Sequence, residues 1–321
     1  MNNQSGIGSN TSILELVQTY LDRLFTGAAS ETRAGKVGAL DPLVFTQDVA
    51  TNAAVNSTVQ GGGGYFQTTT SDVPTPQQAS VTAFNAKVSN VLQFLQNLPI
   101  SRTFMADQQL SSVAKQVKEE AKNWSATRDR NAVGVFYNGF TASTSPADLC
   151  VDGIILFSNS HQTATGATVD NLETAALSDD GLNTTVTSLR TQSSQSGVTT
   201  GYNPDFLLCS ATLHRTANAV AKSVLRAGTG NNDVNYWSDL YPEMKVVYSP
   251  FFDTSGVSNA TTMYVVGAKD HGVMRFEREG FSSTLVDWQY NANDQYMYKM
   301  RSREVVSPVY FSGLVGSTGA A

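Results

Sequence analysis

The stretch "VDGIILFSNSHQTATG", residues 151–166, decides how the rest of the chain is read. An apolar run with strand character opens into Ser158, Ser160 and His161 at a polar turn, which is how many hydrolases present a nucleophile beside its base. A Ser–His pair also needs a third group to orient the imidazole and donors for an oxyanion, and its serine usually sits on a constrained elbow such as G-x-S-x-G. Neither Ser158 nor Ser160 has that context. A hydrolytic site built on Ser160 and His161 would require a buried acidic partner and a sized pocket. The stretch reads better as a strand end, a turn and a polar loop, with His161, His214 and His271 all structural.

Upstream, Asp107 can cap a helix in which Leu110, Val113, Ala114, Val117, Ala121 and Trp124 form one apolar stripe. Lys115, Lys118, Glu119 and Lys122 lie mostly off that stripe. Unbroken to Asn138, such a helix is about 48 Å long at about 1.5 Å per residue and can act as a spine. Residues 81–105 stay ambiguous. Phe84, Val88, Val91, Leu92 and Leu95 fit a helix, while "VLQFLQNLPISRTF" with its Pro99 fits an extended strand equally well. At the start of the chain Ser12 and Glu15 form a capping box, followed by Ile13, Leu16, Val17, Tyr20 and Leu24 at helical spacing. This predicts an isolated amphipathic helix over 11–25. From Thr26 to Pro76 the sequence is small and polar, with "GGGG" at 61–64, and reads as an arm or loop leaving the body of the domain.

Downstream, "DNLETAALSDDGLNTTVTSLR" reads as a capped helix that Gly181 could interrupt, and "SATLHRTANAVAKSVLRAG" as a second, with the strand "PDFLLCS" between them. After Gly230 come "KVVYSPFF", "TMYVVGA", "VMRFE", "TLVDWQY", "YMYKMRS" and "VVSPVYF", all strand-like. A mixed region followed by a β-rich return gives the class α+β.

Composition narrows the function classes. The formal net charge is -6 with only 15% charged residues. That argues against tight binding to phosphate backbones or anionic membranes, which need concentrated Lys and Arg. Cys150 and Cys209 read as buried free thiols, and no disulfide framework is expected. The segment "MNNQSGIGSN" lacks the basic and apolar regions of a signal peptide, and "IILF" is too short to span a membrane, so folding in a cytoplasm is expected. "AGKVG" at 34–38 lacks the glycine and hydroxyl residue of a phosphate loop, and "RAGTGNN" at 226–232 follows a helix where a phosphate cradle would precede one. No histidine has metal-ligand spacing. Asp179 and Asp180 at a helix start are explained by capping and the helix dipole. No catalytic residue, cofactor or metal is expected.

The order of parts carries more than any one motif. Asp152, Gly153, Phe157, Ser158 and His161 follow the long helix. "LRTQ" and "GYNPDFLLCSATLHRTA" follow at 189–217, then "MKVVYSPFFD", then "FEREG" at 276–280. In this order the chain, from about Leu95 to Gly313, resembles the major capsid proteins of tailed double-stranded DNA bacteriophages with the Hong Kong 97 fold, and more closely the Mu-type major head subunits. The N-terminal helix and the glycine-rich tract have no counterpart in that pattern.

The resemblance implies an N-terminal arm over 1–46 and an extended loop over 47–105. It implies a first part of the peripheral domain over 106–165 with the spine helix, an axial domain over 166–274, and the second part of the peripheral domain with the C-terminus over 275–321. It implies an icosahedral shell of hexamers and pentamers around double-stranded DNA that is enclosed without tight binding, assembled in a host cytoplasm, with scaffold, portal and decoration proteins as partners. A cellular encapsulin compartment shares the fold and is the alternative. Phe45, Tyr65 and Phe66 are the expected contacts with a neighbouring subunit, since 26–76 holds too few apolar side chains to order itself. Lys87 is the only lysine between Lys36 and Lys115. Some shells of this fold join a loop lysine to a neighbour's asparagine, but no Asn or Glu can be matched to Lys87, so it is expected as a contact without a cross-link.

Overall fold

The structure, a computed structural model, describes residues 15, 17–26, 28, 45–48, 54–57, 60–61, 82–83, 87–106, 110–164, 166–225, 234–290 and 295–319. The chain is organised by two sheets. The first is four-stranded, in the order Phe45–Asp48, Val273–Val286, Gln295–Pro308, Leu92–Ser101. Its centre is one long hairpin, paired from Val273↔Pro308 to Val286↔Met297. The four short strands expected after residue 272 are therefore two strands of 14 residues each. The segment between "VMRFE" and "TLVDWQY" reads as a break because register shifts after Glu277 and Glu279 absorb it as bulges, which keep a strand continuous while disturbing its alternation.

The ambiguity at 81–105 resolves to strand. Leu92–Ser101 pairs antiparallel with Gln295–Glu304, with Pro99 opposite Met297. An edge strand is one of the few sheet positions that tolerate the donor missing from proline. Ala54–Ser57 pairs with Lys87–Asn90, and Gln60–Gly61 with Thr82–Ala83, so an antiparallel ribbon leads into this edge.

The second sheet has five strands in the order Lys245–Ser249, Phe206–Ser210, Tyr264–Gly267, Leu314–Ser317, Leu172–Glu173. Its central strands are buried on both faces, which explains why "FLLCS" and "YVVG" read as unbroken apolar runs. Alternation divides them between two cores. Phe206, Leu208, Val265 and Leu314 face the core shared with the long helix. Leu207, Cys209, Val266 and Val315 face the helices Asp179–Thr191 and His214–Lys222.

One expectation is corrected here. Residues 170–178 are not helical: Leu172–Glu173 is an edge strand, and the helix begins at Asp179 because the Ser178 hydroxyl accepts from the Gly181 amide at 3.0 Å. The last strand, Leu314–Ser317, lies in the five-stranded sheet. That strand escapes a sequence reading because "LVGS" is only four residues long and half small or polar.

The long helix runs unbroken from Leu110 to Asn138, 29 residues, and its proposed cap Asp107 lies outside the described residues. Val113, Val117 and Ala121 of the expected stripe are buried. The final turns, with Ala132, Val133, Phe136 and Tyr137, insert between the two sheets. Helix is also found at residues 17–26, but its buried face is Leu21 and Phe25, with Val17 and Leu24 at the margin and Tyr20 exposed. It is not isolated. Leu21 and Phe25 pack with Ile100, Val113, Val117, Tyr298 and Met300 of the same chain, and the Phe25 ring stacks on Phe281 at 4.0 Å.

Candidate functional site

The stretch 151–166 crosses from the long helix to the five-stranded sheet. Its geometry settles the serine–histidine question. The ring of His161 is fully buried and stacks on Phe311 at 4.3 Å. Its Nδ1 lies 2.7 Å from Asp152 Oδ2 and its Nε2 lies 3.1 Å from the Leu156 carbonyl oxygen. The buried acid that a hydrolase requires is thus present. The second ring nitrogen, however, faces a backbone carbonyl where a nucleophile would have to stand. The Ser160 hydroxyl is bonded instead to the Ser158 hydroxyl at 3.0 Å, in the kind of local turn serines form along their own backbone. Asn171, also buried, donates to the Leu156 carbonyl at 2.8 Å and accepts from the Ser158 amide at 2.8 Å. The crossing is held by polar staples and is not open to a substrate.

The other histidines are structural as well. His271 accepts from the Val273 amide at Nδ1 and meets the edges of Phe136 and Phe206, while His214 packs on Tyr248. Cys150 and Cys209 are free and buried, and burial, with Asp253 adding to it, pushes the Cys209 thiol up to about 12. Among the described residues no group of His, Cys, Asp and Glu could hold a metal ion, and no helix is long and apolar enough to cross a membrane.

A charged cluster that the sequence reading missed joins the long helix to the hairpin. Glu277 and Glu304 are direct cross-strand partners, and Arg128 reaches both, at 3.1 Å and 3.3 Å. Arg275 approaches Glu304 at 3.7 Å, with both side chains almost fully buried. Charged residues recurring within the apolar run "VMRFE" were the available signal. A carboxylate pair in register is destabilising unless a cation lies between.

The contact candidates are placed as follows. Phe45 lies on the edge strand that pairs parallel with the hairpin, opposite Met274. Lys87 pairs with Ser57 in the ribbon. Tyr65 and Phe66 lie outside the described residues. Exposed large apolar side chains that no motif announced include Tyr20, Phe104 and Tyr290, and others flank a bridge and line an edge strand. Val224, Leu225, Val234, Tyr236 and Leu240 gather about the Leu225–Val234 bridge, with Val224 and Tyr236 each 77% exposed. Leu92 and Leu95 stand on the open edge strand, beside a cavity of about 310 Å³ that Phe94, Trp124, Phe281 and Met300 line together with Glu120 and Arg301.

Three solved structures illustrate the likeness of the whole fold. The asymmetric unit of the bacteriophage PhiM1 mature capsid matches at a TM-score of 0.53 and 12% identity, covering 87% of this chain and 86% of that one. The capsid of a native GTA particle matches at 0.52 and 12% identity, covering 89% and 91%. A virus-like particle from Pyrococcus furiosus matches at 0.51 and 6% identity, covering 92% and 98%. The fold is the Hong Kong 97-type capsid fold. No curated protein sequence matches. A family model described as phage capsid protein matches residues 96–315, which include the long helix, the crossing, the hairpin and the five-stranded sheet as far as the middle of its last strand in sequence. Proteins of that family are structural components of the virion and not enzymes. The chain belongs to the phage capsid protein family.

Proposed function

We propose that this chain is the major head subunit of a tailed double-stranded DNA phage and assembles as hexamers and pentamers into an icosahedral shell. The observation that carries this reading is the apolar surface the subunit leaves open. Val224, Leu225, Val234, Tyr236 and Leu240 are all exposed, and we read them as one apolar patch of a kind that monomers rarely expose without a partner. Copies arranged about a rotation axis bury such a patch heterologously, and closure of the ring limits the assembly. The body built on the five-stranded sheet then serves as the axial domain, and the hairpin with the long helix as the peripheral domain.

The ribbon at 54–61 and 82–90 serves as the extended loop. Phe45, Tyr65, Phe66 and Lys87 are the residues assigned to contacts with a neighbouring subunit. Scaffold, portal and decoration proteins are the further partners. The net charge of -6 favours a shell that confines DNA without binding it tightly.

Electron microscopy of the purified protein, assembled with its scaffold and protease where these are needed, tests the reading. Closed shells with five-fold and six-fold capsomers are expected. Monomers and dimers alone under every assembly condition would overturn it, and shells filled with an enzyme cargo in place of DNA would favour the encapsulin alternative.

A further inference from the structure

We propose that the cavity between the long helix, the hairpin and the edge strand Leu92–Ser101 binds a small organic cation, an ammonium group carried on an apolar body. The volume sets the size of the ligand. At about 310 Å³ the cavity is about twice the size of one that holds a benzene molecule, so it takes a body of about a dozen non-hydrogen atoms. A lysine side chain, a single unbranched stem, would leave most of that space empty, which favours a free molecule over a side chain from a neighbouring subunit.

The walls set the chemistry. Phe94 on the edge strand and Phe281 on the hairpin both meet Trp124 of the long helix at ring-centroid distances of 5.9 Å, inclined to it by 65° and 44°. Rings inclined in this way wall a space from different sides instead of closing it by stacking, and Met300 adds a polarisable thioether. Aromatic rings attract cations through the negative potential of their faces, tryptophan most strongly, and several rings together recognise quaternary ammonium groups.

Aromatic walls alone would accept a neutral body equally well. The charge at the wall decides. Glu120 is half-buried one turn before Trp124 on the same helix and also lines the cavity. Among the described residues it has no hydrogen-bond or ion-pair partner. Its neighbours Glu119 and Lys122 pair with each other at 2.8 Å, and the cationic side chain at the wall, Arg301, is held by Glu279 at 3.1 Å. Glu120 is therefore the uncompensated charge of the site. A ligand cation supplies its counter-charge where water is partly excluded, so the attraction is stronger than between groups in open solvent. An anion of the same shape is repelled. The cavity lies within one subunit, so none of this depends on the shell reading.

Two probes of nearly equal shape and opposite charge test the proposal: benzyltrimethylammonium and benzylsulfonate. The full chain is labelled with 15N-tryptophan, and the indole signals are assigned by replacing Trp124, Trp237 and Trp288 with Phe in turn. At constant ionic strength, benzyltrimethylammonium should shift the Trp124 signal saturably and leave that of Trp237 unmoved. It should bind about tenfold more tightly than benzylsulfonate. Glu120→Gln, which keeps the shape of the wall, should weaken the cation by about tenfold and bring the two probes close to parity. A Trp124 signal that does not saturate by ~10 mM cation, equal affinity for the two probes, or an E120Q variant that binds the cation as tightly as the wild type overturns the proposal. Should E120Q fail to fold, the preference of the wild type between the two probes decides alone.

Discussion

At the scale of single residues, burial governs chemistry more than residue type does. Cys209 sits in the centre of the five-stranded sheet with its thiol aimed at the Val247 carbonyl, and Asp253 adds a negative charge nearby. Both effects oppose the thiolate, which is the reactive form. An aromatic disulfide reagent at about pH 8 should leave Cys209 untouched in the folded chain and titrate it fully in denaturant; rapid labelling of Cys209 in the folded protein would contradict the packing described. Stability follows the same sign. The folded thiol stays protonated up to about 12 where an ordinary thiol ionises near 9.0, so stability falls as pH rises between those values. The thiol's burial was legible in "FLLCS". The meaning of His161 was legible only in part. The sequence places Asp152 nine residues before it, but whether the ring nitrogen opposite Asp152 meets Ser160 or a backbone carbonyl depends on how the turn closes.

At the scale of elements, the long helix and the strands "FLLCS" and "YVVG" were readable because each buries a regular face or both faces. Elements whose periodicity is disturbed were not. The hairpin is broken in its pattern by bulges, and the helix at residues 17–26 shows a different buried face because Phe25 and Leu21, not Tyr20, meet the partner surface. Nor can spacing show which charges converge from distant segments. Arg128 on the long helix stands between Glu277 and Glu304, which oppose each other across the hairpin. Removing Arg128 leaves the two carboxylates in register with Arg275 still beside Glu304, a loss of about 3 kcal/mol, the lower end for broken buried pairs. Arg128→Met should therefore lower the unfolding midpoint strongly. Adding Glu304→Gln to that variant should recover part of the loss, since the like charge is removed as well. Two single effects that add without coupling would show that the helix and hairpin are not joined through these groups.

At the scale of the whole molecule, the N-terminal helix belongs to the subunit's own core, and this changes what removing it should do. An arm that only reaches neighbours could be deleted to leave a stable monomer with an assembly defect. Leu21 and Phe25, however, cover Ile100, Val113, Val117 and Met300, and the Asp22 carboxylate accepts from the Tyr298 hydroxyl at 2.6 Å and from the Ser283 hydroxyl. Burial first, and then this bond, push the Tyr298 phenol up, so it stays a donor through the ordinary pH range. Each of the two side chains, truncated to alanine, should lose about 2–5 kcal/mol as other large buried side chains do. Losses of that size compare with the whole stability of many domains. The double substitution Leu21→Ala, Phe25→Ala should therefore give a chain with a sharply lowered unfolding midpoint and a tendency to aggregate through the uncovered seat at Ile100, Met300 and Phe281. Deletion of residues 1–46 should do the same, and it also removes half of the edge strand Phe45–Asp48. Size-exclusion chromatography with denaturant unfolding of both variants decides between the two pictures. A soluble monomer of unchanged midpoint that merely fails to form shells would mean that the helix serves its neighbours, and that its seat on the long helix and hairpin adds little to the fold of the single subunit.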